Sequence, residues 1–395
     1  MSAHFRSRST FSRRLLAILL AAGCASAARG AGPVAAQVHA SGVDHRQTRS
    51  NWIHGDHRIE LLIDGSVEFG EDERSVRALS PGARLVVEEA RGGAPTRRME
   101  WRGGAAGPVA TYLVDGERRA LDAEGRRWID SLLPEILLQE GINAESRVRR
   151  LYGEGGLDRV LAMIERVDGD GVQALYFLTL FDAVRLGPAE AAKAYAAAGR
   201  EIESDGDLAR TLLGTQARLD LDDTRVRSAW FATATAIQSD GDQARVLLST
   251  LQRIDRIHRR AETTAALCRS AAELSSDGDK ARVLLGVVDE DLFALSGARQ
   301  ACFRALGTVG SDGDHTRVLL AVLDRHGGER AVALAALRVA AGIESDGDLT
   351  RVLLSVPGVR LKEAAVRTEY ERALATVESD GDHDRARRYL EDAVS

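Results

Sequence analysis

Aromatic residues are scarce in this sequence: Phe, Trp and Tyr make up 5% of its 395 residues. No basic patch interleaved with aromatics occurs, and single-stranded nucleic-acid sites require that combination. Positive charge is also in deficit, with 53 Lys and Arg against 59 Asp and Glu. The first 36 residues hold five arginines and no acid, so the rest has 48 basic and 59 acidic residues, a formal charge of −11. An acidic chain disfavours a nucleic acid or an anionic membrane as the main partner.

Short catalytic motifs are absent as well. The sequence has no Gly-x-Ser-x-Gly, no Gly-rich loop ending in Gly-Lys-Ser/Thr, no dinucleotide-binding fingerprint after a strand and no His-Glu-x-x-His. Acidic pairs are frequent, but helix capping explains the repeated ones. We therefore predict no catalytic residue and no cofactor, and we expect a protein that is not an enzyme.

Histidines cluster at one point, where His54 and His57 follow His45. A His-x-x-His pair at the start of a strand could hold zinc if further ligands converged on it. We favour a solvated loop before the first strand, so no metal ligand is assigned. A metal-dependent hydrolase built on these three histidines stays as an alternative function.

Against these absences stands one repeated motif, Ser-Asp-Gly-Asp followed three residues later by Arg. Its serines lie 35, 37, 35, 34 and 34 residues apart, at Ser204, Ser239, Ser276, Ser311, Ser345 and Ser379. A fixed period of this length is the signature of stacked repeats. Weaker copies precede the first one at residues 153–159 and 167–172, where Gly169 replaces the serine.

One copy, Ser345 to Glu378, shows what each repeat contains. Ser345 is a good helix N-cap, and Asp348 three residues later resembles the acid of a capping box. The apolar residues after it recur at i, i+3, i+4 and i+7, and Pro357 with Gly358 ends the helix. A second amphipathic helix follows. The predicted helix caps are Ser204, Asp207, Ser239, Asp242, Ser276, Asp279, Ser311, Asp314, Ser345, Asp348, Ser379 and Asp382.

Such helical hairpins cannot cover their own apolar faces, so neighbouring copies must stack. The predicted fold is mostly α, an α-solenoid of helical hairpins in repeats of 34–37 residues, preceded by a small antiparallel β domain. The second Asp and the Arg of each motif are spaced to meet on one helix face. The motif glycine suggests a tight corner or a close backbone approach, and the residue after the motif, such as His315 or His383, is expected to be exposed.

The acidic motif also invites a calcium interpretation. An EF-hand loop needs a bidentate acid at its twelfth position, and the first five copies have Gln216, Leu251, Val288, Leu323 or Pro357 there. The EF-hand interpretation therefore fails. A looser calcium site, formed by the two motif acids and the acid before the serine, is the alternative to helix caps.

The N-terminus is typical of an export signal, predicted to span residues 1–36. Arg13 and Arg14 precede an apolar run from Leu15 to Ala22 that is too short to span a bilayer. Cleavage at an Ala-x-Ala-like site would release a secreted or periplasmic protein. Lipid attachment at Cys24, whose surroundings resemble a lipoprotein processing site, is the alternative and the one expected route to a membrane.

Residues 37–51 are predicted to be a linker and residues 52–121 a small antiparallel β domain of about six strands. Ile59, Leu61 and Ile63 alternate with mostly polar residues, and Asp64-Gly65 and Asp115-Gly116 are hairpin signals. A domain of this size is marginal alone, so we expect one face to pack on the first helices. The solenoid repeats are predicted over residues 122–395.

Cys268 and Cys302 fall in the second helices of adjacent copies. An oxidising compartment would permit a disulfide between them. Packed helix axes lie about 8–10 Å apart, whereas bridged Cα atoms are usually within about 7 Å of each other. We therefore favour two separate buried thiols.

The two-helix repeats resemble the HEAT/armadillo class of α-solenoids. More narrowly, Ser-Asp-x-Asp-x-x-Arg-Val-Leu-Leu repeats behind a small β domain, over about residues 52–395, are similar to a bacterial family found also as C-terminal extensions of antirepressor-type membrane metallopeptidases. The resemblance implies a sensing or interaction role on the envelope side. No catalytic residue carries over, because the peptidase motif is absent here.

Together these features predict a non-enzymatic protein–protein interaction scaffold of the bacterial cell envelope. A ligand-sensing or regulatory module that partners a membrane protein is a second hypothesis, and the histidine-based hydrolase is a third. The partner is a protein in the first two cases, and the sequence does not identify it.

Overall fold

The computed structural model describes residues 48–395. They fall into two compact units, one ending at Ala183 and the other running from Val184 to Ser395. The described chain is mostly helical and starts with a small antiparallel β domain, as the sequence predicts. The predicted export signal, Cys24 and His45 lie outside the described residues.

The β domain contains eight strands in two sheets. They are β1 (Thr48–His54), β2 (His57–Asp64), β3 (Val67–Phe69), β4 (Val76–Leu79), β5 (Arg84–Arg91), β6 (Arg97–Gly104), β7 (Gly107–Val114) and β8 (Glu117–Arg119). The main sheet has the order β1-β2-β5-β6-β7-β8, and β3 pairs with β4 separately. Because β1 begins at Thr48 and pairs with β2 along its length, the last four residues of the predicted linker belong to the sheet.

One face of the main sheet is apolar because successive strand residues alternate between the faces. Leu61, Val87 and Met99 lie side by side on adjacent strands and are fully buried. They pack against the first helix, α1 (Ala123–Gln139), through Leu133 and Leu137. The expected burial of one sheet face under the first helices is therefore confirmed.

The two hairpin signals have different outcomes. Asp115 and Gly116 have φ values of +50° and +81° and connect the paired strands β7 and β8. The predicted Asp64-Gly65 hairpin is wrong, because β2 pairs with β1 and β5 instead of with β3. After Gly65 the chain leaves the main sheet, and the Ser80 N–H donates to Ser66 O in the connection between the two sheets.

Two more helices complete the first unit, α2 (Ala144–Ile164) and α3 (Asp170–Ala183). The weak motif copy at residues 153–159 coincides with a break inside α2. Gly155 and Gly156 leave helical geometry there, and Gly156 has φ +65° and ψ −161°, a region open only to glycine. The weak copy at residues 167–172 lies at the start of α3, where Gly169 O accepts from the Gln173 N–H.

A buried ion pair connects the β3–β4 loop to α2. Arg147 Nε donates to Glu73 Oε2 at 2.8 Å, and Arg147 Nη2 lies 2.7 Å from Glu73 Oε1. Nη1 of the same arginine donates to the Tyr176 hydroxyl, which donates to Leu138 O at 3.0 Å. Burial raises the pKa of Tyr176 to about 12, so the hydroxyl stays protonated. Both charged side chains are nearly inaccessible, at 3% and 4% exposure.

The second unit consists of paired helices. Their bounds are α4 (Pro188–Glu201), α5 (Asp205–Thr215), α6 (Thr224–Thr235), α7 (Asp240–Leu251), α8 (Arg260–Ala272), α9 (Asp277–Asp289), α10 (Ser296–Leu306), α11 (Asp312–His326), α12 (Arg330–Ala340), α13 (Asp346–Leu353), α14 (Gly358–Leu361), α15 (Ala364–Leu374) and α16 (Asp380–Val394).

Helices one repeat apart pack on each other in two series. The motif helices follow the series α5, α7, α9, α11, α13 and α16, and the second helices follow α4, α6, α8, α10, α12 and α15. An apolar residue two positions before each motif serine is buried in every copy, namely Ile202, Ile237, Leu274, Val309, Ile343 and Val377. The apolar faces of each copy are thus covered by the neighbouring copies.

The copy from Ser345 to Glu378 matches its sequence pattern closely. The predicted stripe on the motif helix is buried, with Leu349, Val352, Leu353 and Val356 at most 1% exposed. The short helix α14 lies between α13 and α15. The second helix, predicted from about Lys362, begins at Ala364.

Candidate functional site

The motif serines stand at the N-caps of the motif helices. In the first five copies the serine Oγ accepts from the backbone N–H of the second motif Asp, at 3.2–3.4 Å. This bond satisfies one of the N–H groups that the first helical turn leaves without a partner. The sixth copy differs, because Ser379 occupies the N-cap position without a side-chain cap hydrogen bond.

The second Asp of each motif contacts the motif Arg. The carboxylate Oδ1 lies 2.9–3.0 Å from an arginine nitrogen in the first five copies, from Asp207–Arg210 to Asp348–Arg351. Asp382 and Arg385 make the same pair. The spacing argument is confirmed for the pair. The capping-box comparison is wrong for the side chain, since that carboxylate would have to accept from the backbone N–H of its own serine.

That serine N–H has a different partner, the first Asp of the preceding copy. Asp205 accepts from the backbone N–H groups of Gln238 and Ser239, each at 2.8 Å. One carboxylate thereby satisfies two backbone donors at the start of the next copy. We call this arrangement the Asp clamp. The interpretation of the repeated acids as helix caps did not indicate this contact.

The Asp clamp recurs along the second unit. Asp240 accepts from Ser275 and Ser276 at 2.9 and 2.8 Å, Asp312 from Glu344 and Ser345 at 3.2 and 2.8 Å, and Asp346 from Glu378 and Ser379 at 3.1 and 2.8 Å. Asp277 accepts from Gly310 at 3.0 Å. The last member, Asp380, is exposed and makes no such contact within residues 48–395.

The residue after the second motif Asp contacts the second half of its own copy. Gln243 Nε2 donates to Ser270 O at 3.1 Å, and Lys280 Nζ donates to Thr308 O at 2.7 Å. His315 occupies this position in the fourth copy and is only 3% exposed, so its predicted exposure is wrong. Burial lowers the pKa of His315, against the opposing charges of Asp312 and Asp277. His383, in the sixth copy, is half-buried.

The motif glycine faces open space. A Cβ added at Gly206, Gly241, Gly313, Gly347 or Gly381 would meet no atom within 4 Å, and one at Gly278 would make ordinary contacts at 3.9 Å or more. None of the six has a positive φ. The expected tight corner is therefore wrong, and nothing within the described chain requires glycine at these positions.

An exposed strip thus runs along the motif helices, one segment per copy. We define the motif edge as the motif glycines together with the motif arginines, whose side chains are 52–61% exposed. The second Leu of Arg-Val-Leu-Leu and its counterparts lie one turn beyond and are half-buried, at Leu213, Leu248, Leu285, Leu320 and Leu354. The position after the motif varies among Leu, Gln, Lys and His, whereas the glycine and the arginine are the same in all six copies.

The residues of the alternative calcium and zinc sites have other partners or lie apart. Each first motif Asp from copies one to five binds backbone N–H groups, and each second Asp binds an arginine, so a calcium ion would have to displace these partners. His57 Nε2 lies 2.7 Å from Glu89 Oε1, which is on the sheet, and His54 is exposed. Within residues 48–395 no group of three or more His, Cys, Asp and Glu side chains is arranged to hold a metal ion.

The two described cysteines, Cys268 and Cys302, are buried free thiols. Burial raises the pKa of Cys268, and its contact with Cys302 acts in the same direction. The thiol form is therefore favoured, and thiolates are the reactive species.

Comparison with known proteins gives no relative: no protein-family model, no curated protein and no solved structure matches this chain. Among the helices of residues 48–395, none combines the length and the apolarity that a bilayer crossing requires.

Proposed function

We propose that this protein is a non-enzymatic scaffold of the bacterial cell envelope that binds a protein partner along the motif edge. In this proposal the helix pairs form an α-solenoid of the HEAT/armadillo type. The packing of helices one repeat apart in two series supports it, because repeat proteins of this kind present long surfaces to partners. The apolar run behind Arg13 and Arg14 supports export to the envelope.

The observation that carries the proposal is the exposed glycine. Glycine weakens a helix relative to alanine by about 0.5–1 kcal/mol, and six copies keep it where the fold does not need it. A glycine in open space permits an external group to approach the backbone closely. The flanking exposed arginines offer planar donors for carboxylates of such a partner.

The experiment replaces Gly241, Gly313 and Gly347 together with glutamine. Glutamine fits the open space and is a better helix former than glycine, so the variant is expected to unfold at the same or a higher temperature. Partner capture by crosslinking in intact envelopes, followed by pull-down and mass spectrometry, is expected to fall at least about tenfold because the side chains block the backbone.

The matched control is Gly328→Gln. Gly328 is likewise exposed, with no atom within 4 Å of an added Cβ, but it lies after α11 and outside the motif edge. The Gly328→Gln variant should capture the same proteins in the same amounts as the wild type. Equal capture by the triple variant and the control would refute the motif edge as the partner site.

The second hypothesis, a ligand-sensing module that partners a membrane protein, is favoured by a cleft in the first unit, described below. The histidine-based hydrolase gains no support from the described residues, since His57 pairs with Glu89.

A further inference from the structure

A cleft of about 600 Å³ opens in the first unit between the β3–β4 loop and the helices α1 and α2. Sites for small molecules typically have volumes of about 300–1,000 Å³. Five arginines and three acids line this cleft. A fourth acid, Glu154, pairs with two of the arginines. Five arginines against four acids leave one excess positive charge at the cleft, in a chain whose overall charge is negative.

Two of these arginines are held together by one acid. Glu154 accepts from Arg150 Nη1 at 3.0 Å and from Arg159 Nε at 3.1 Å. The two arginines come from opposite sides of the Gly155-Gly156 break in α2, which lets them converge. The hydrogen bond from Arg150, with Arg159 acting in the same direction, holds the pKa of Glu154 below its usual range.

Each guanidinium has further N–H donors in a rigid planar fork. The contacts with Glu154 engage one nitrogen of each, and both side chains reach solvent, at 34% and 58% exposure. The remaining donors of both arginines are therefore open to a second anion. Carboxylate and phosphate groups match that fork.

Apolar side chains line the same cleft. Leu138, Leu151 and Met163 belong to α1 and α2 and are at most 8% exposed. The atoms that these side chains present to the cleft are apolar, and methionine adapts to different shapes. The cleft thus combines a cationic part with an apolar part.

We propose that this cleft binds a small anionic amphiphile, with its carboxylate or phosphate head on Arg150 and Arg159 and its apolar body on Leu151 and Met163. The inference concerns the first unit and does not depend on the proposed function of the motif edge.

The test is isothermal titration calorimetry of residues 37–395, the chain without its predicted export signal. The four probes are decanoate, decyl phosphate, decanol and inorganic phosphate, and the amphiphiles are kept below micelle-forming concentrations. We expect one site that takes decanoate, decyl phosphate or both, and the comparison of these two identifies the head group. Decanol lacks the charge and inorganic phosphate lacks the apolar body, so each should bind at least about tenfold more weakly. Affinity for the anionic probes should fall as salt rises from about 50 to about 500 mM, because the head-group contact is ionic.

The variant Arg150→Gln with Arg159→Gln should weaken binding of the anionic probes at least about tenfold. Arg149→Gln is the matched control, because Arg149 lies on the same helix, pairs with Glu145 and does not line the cleft. Circular dichroism and the unfolding midpoint check that both variants fold. Decanol binding as tightly as the anions, affinities independent of salt, equal affinities of variant and control, or no binding at about 1 mM would each overturn the proposal.

Discussion

At Asp312 a single carboxylate accepts from the backbone N–H groups of Glu344 and Ser345, at 3.2 and 2.8 Å, where one copy ends and the next begins. Hydrogen bonds to a charged acceptor are stronger than neutral ones, and backbone donors left without a partner are costly. The Asp clamp therefore links each copy to the next at its first residue. The fixed position of the donors, immediately before and at the next serine, also sets the register between the copies.

The first prediction is that Asp312→Ala lowers the free energy of unfolding by about 1–3 kcal/mol, because two backbone donors lose their acceptor. Asp380→Ala is the internal control. Asp380 has the same position in its helix but makes no clamp contact within residues 48–395. The substitution Asp380→Ala should therefore change the free energy of unfolding by no more than about 0.5 kcal/mol. Denaturant unfolding measures the free energy of unfolding of both variants. Equal losses would show that Asp312 stabilises the protein only through the helix dipole and not through the clamp.

His315 gives a second prediction, on pH. Burial lowers its pKa in the folded state below 6.5, so the unfolded chain binds more protons below that pH. Its contribution to stability is therefore present above about pH 6.5 and is lost as the pH falls, at up to about 1.4 kcal/mol per pH unit.

Unfolding of the wild type and of His315→Gln between pH 7 and pH 5 tests this expectation. Glutamine already occupies the equivalent position as Gln243, so the variant should fold and should lose stability less steeply with acid. His258→Gln, at an exposed position, should keep the wild-type slope. Identical slopes for wild type and His315→Gln would show that this histidine does not contribute.

Among the secondary-structure elements, the β3–β4 loop and α2 are joined by the pair Glu73–Arg147. A third prediction is that Glu73→Gln lowers the free energy of unfolding by about 3–5 kcal/mol, because it leaves the buried guanidinium without its counter-charge. Glu124→Gln is the control, since Glu124 pairs with Arg97 at the surface, where ion pairs contribute about 0–1 kcal/mol. Chemical denaturation of both variants gives the comparison, and a small effect of Glu73→Gln would mean that water reaches Arg147.

Sequence patterns predicted the elements better than the contacts between them. The apolar stripe of Leu349, Val352 and Leu353 determines one helix face, and local periodicity reveals it. The Asp clamp joins residues more than thirty positions apart, and no local pattern indicates where a carboxylate points. Repetition of the first Asp in all six copies was the available signal, but capping explained it equally well.

The same limit applies to the sheet and to the candidate sites. Asp64-Gly65 has the composition of a hairpin turn, yet strand pairing across the domain directs β2 to β5. That Gly347 faces open space follows from the tertiary structure around it, which the local sequence does not indicate. The sequence does not indicate that the cleft arginines Arg150 and Arg159 lie close together, because their convergence depends on the break at Gly155 and Gly156.

For the whole molecule, the repeats should behave as modular units. A fourth prediction is that deletion of residues 311–344 leaves a folded, shorter helical protein. The deletion joins Gly310 to Ser345, so Asp277 is placed to accept from Gly310 and from the serine that now follows it. Circular dichroism and size-exclusion chromatography test the result.

The control for this deletion is out of phase and removes half a period, residues 311–327. It discards α11 and leaves α12 without the motif helix of its own copy, so it should destabilise the chain. An insoluble product from the in-phase deletion would contradict modular stacking.

The Asp clamps have a mechanical consequence. Each carboxylate bonds only at the boundary with the copy that follows it, so a pull on the C-terminus loads the contacts of the last copy, one clamp among them, before those of the copy that precedes it. The second unit should then yield from that end in steps, each releasing roughly one repeat and lengthening the chain by about 110 Å. Under force the second unit would therefore extend one repeat at a time, and each repeat could refold when the load is removed.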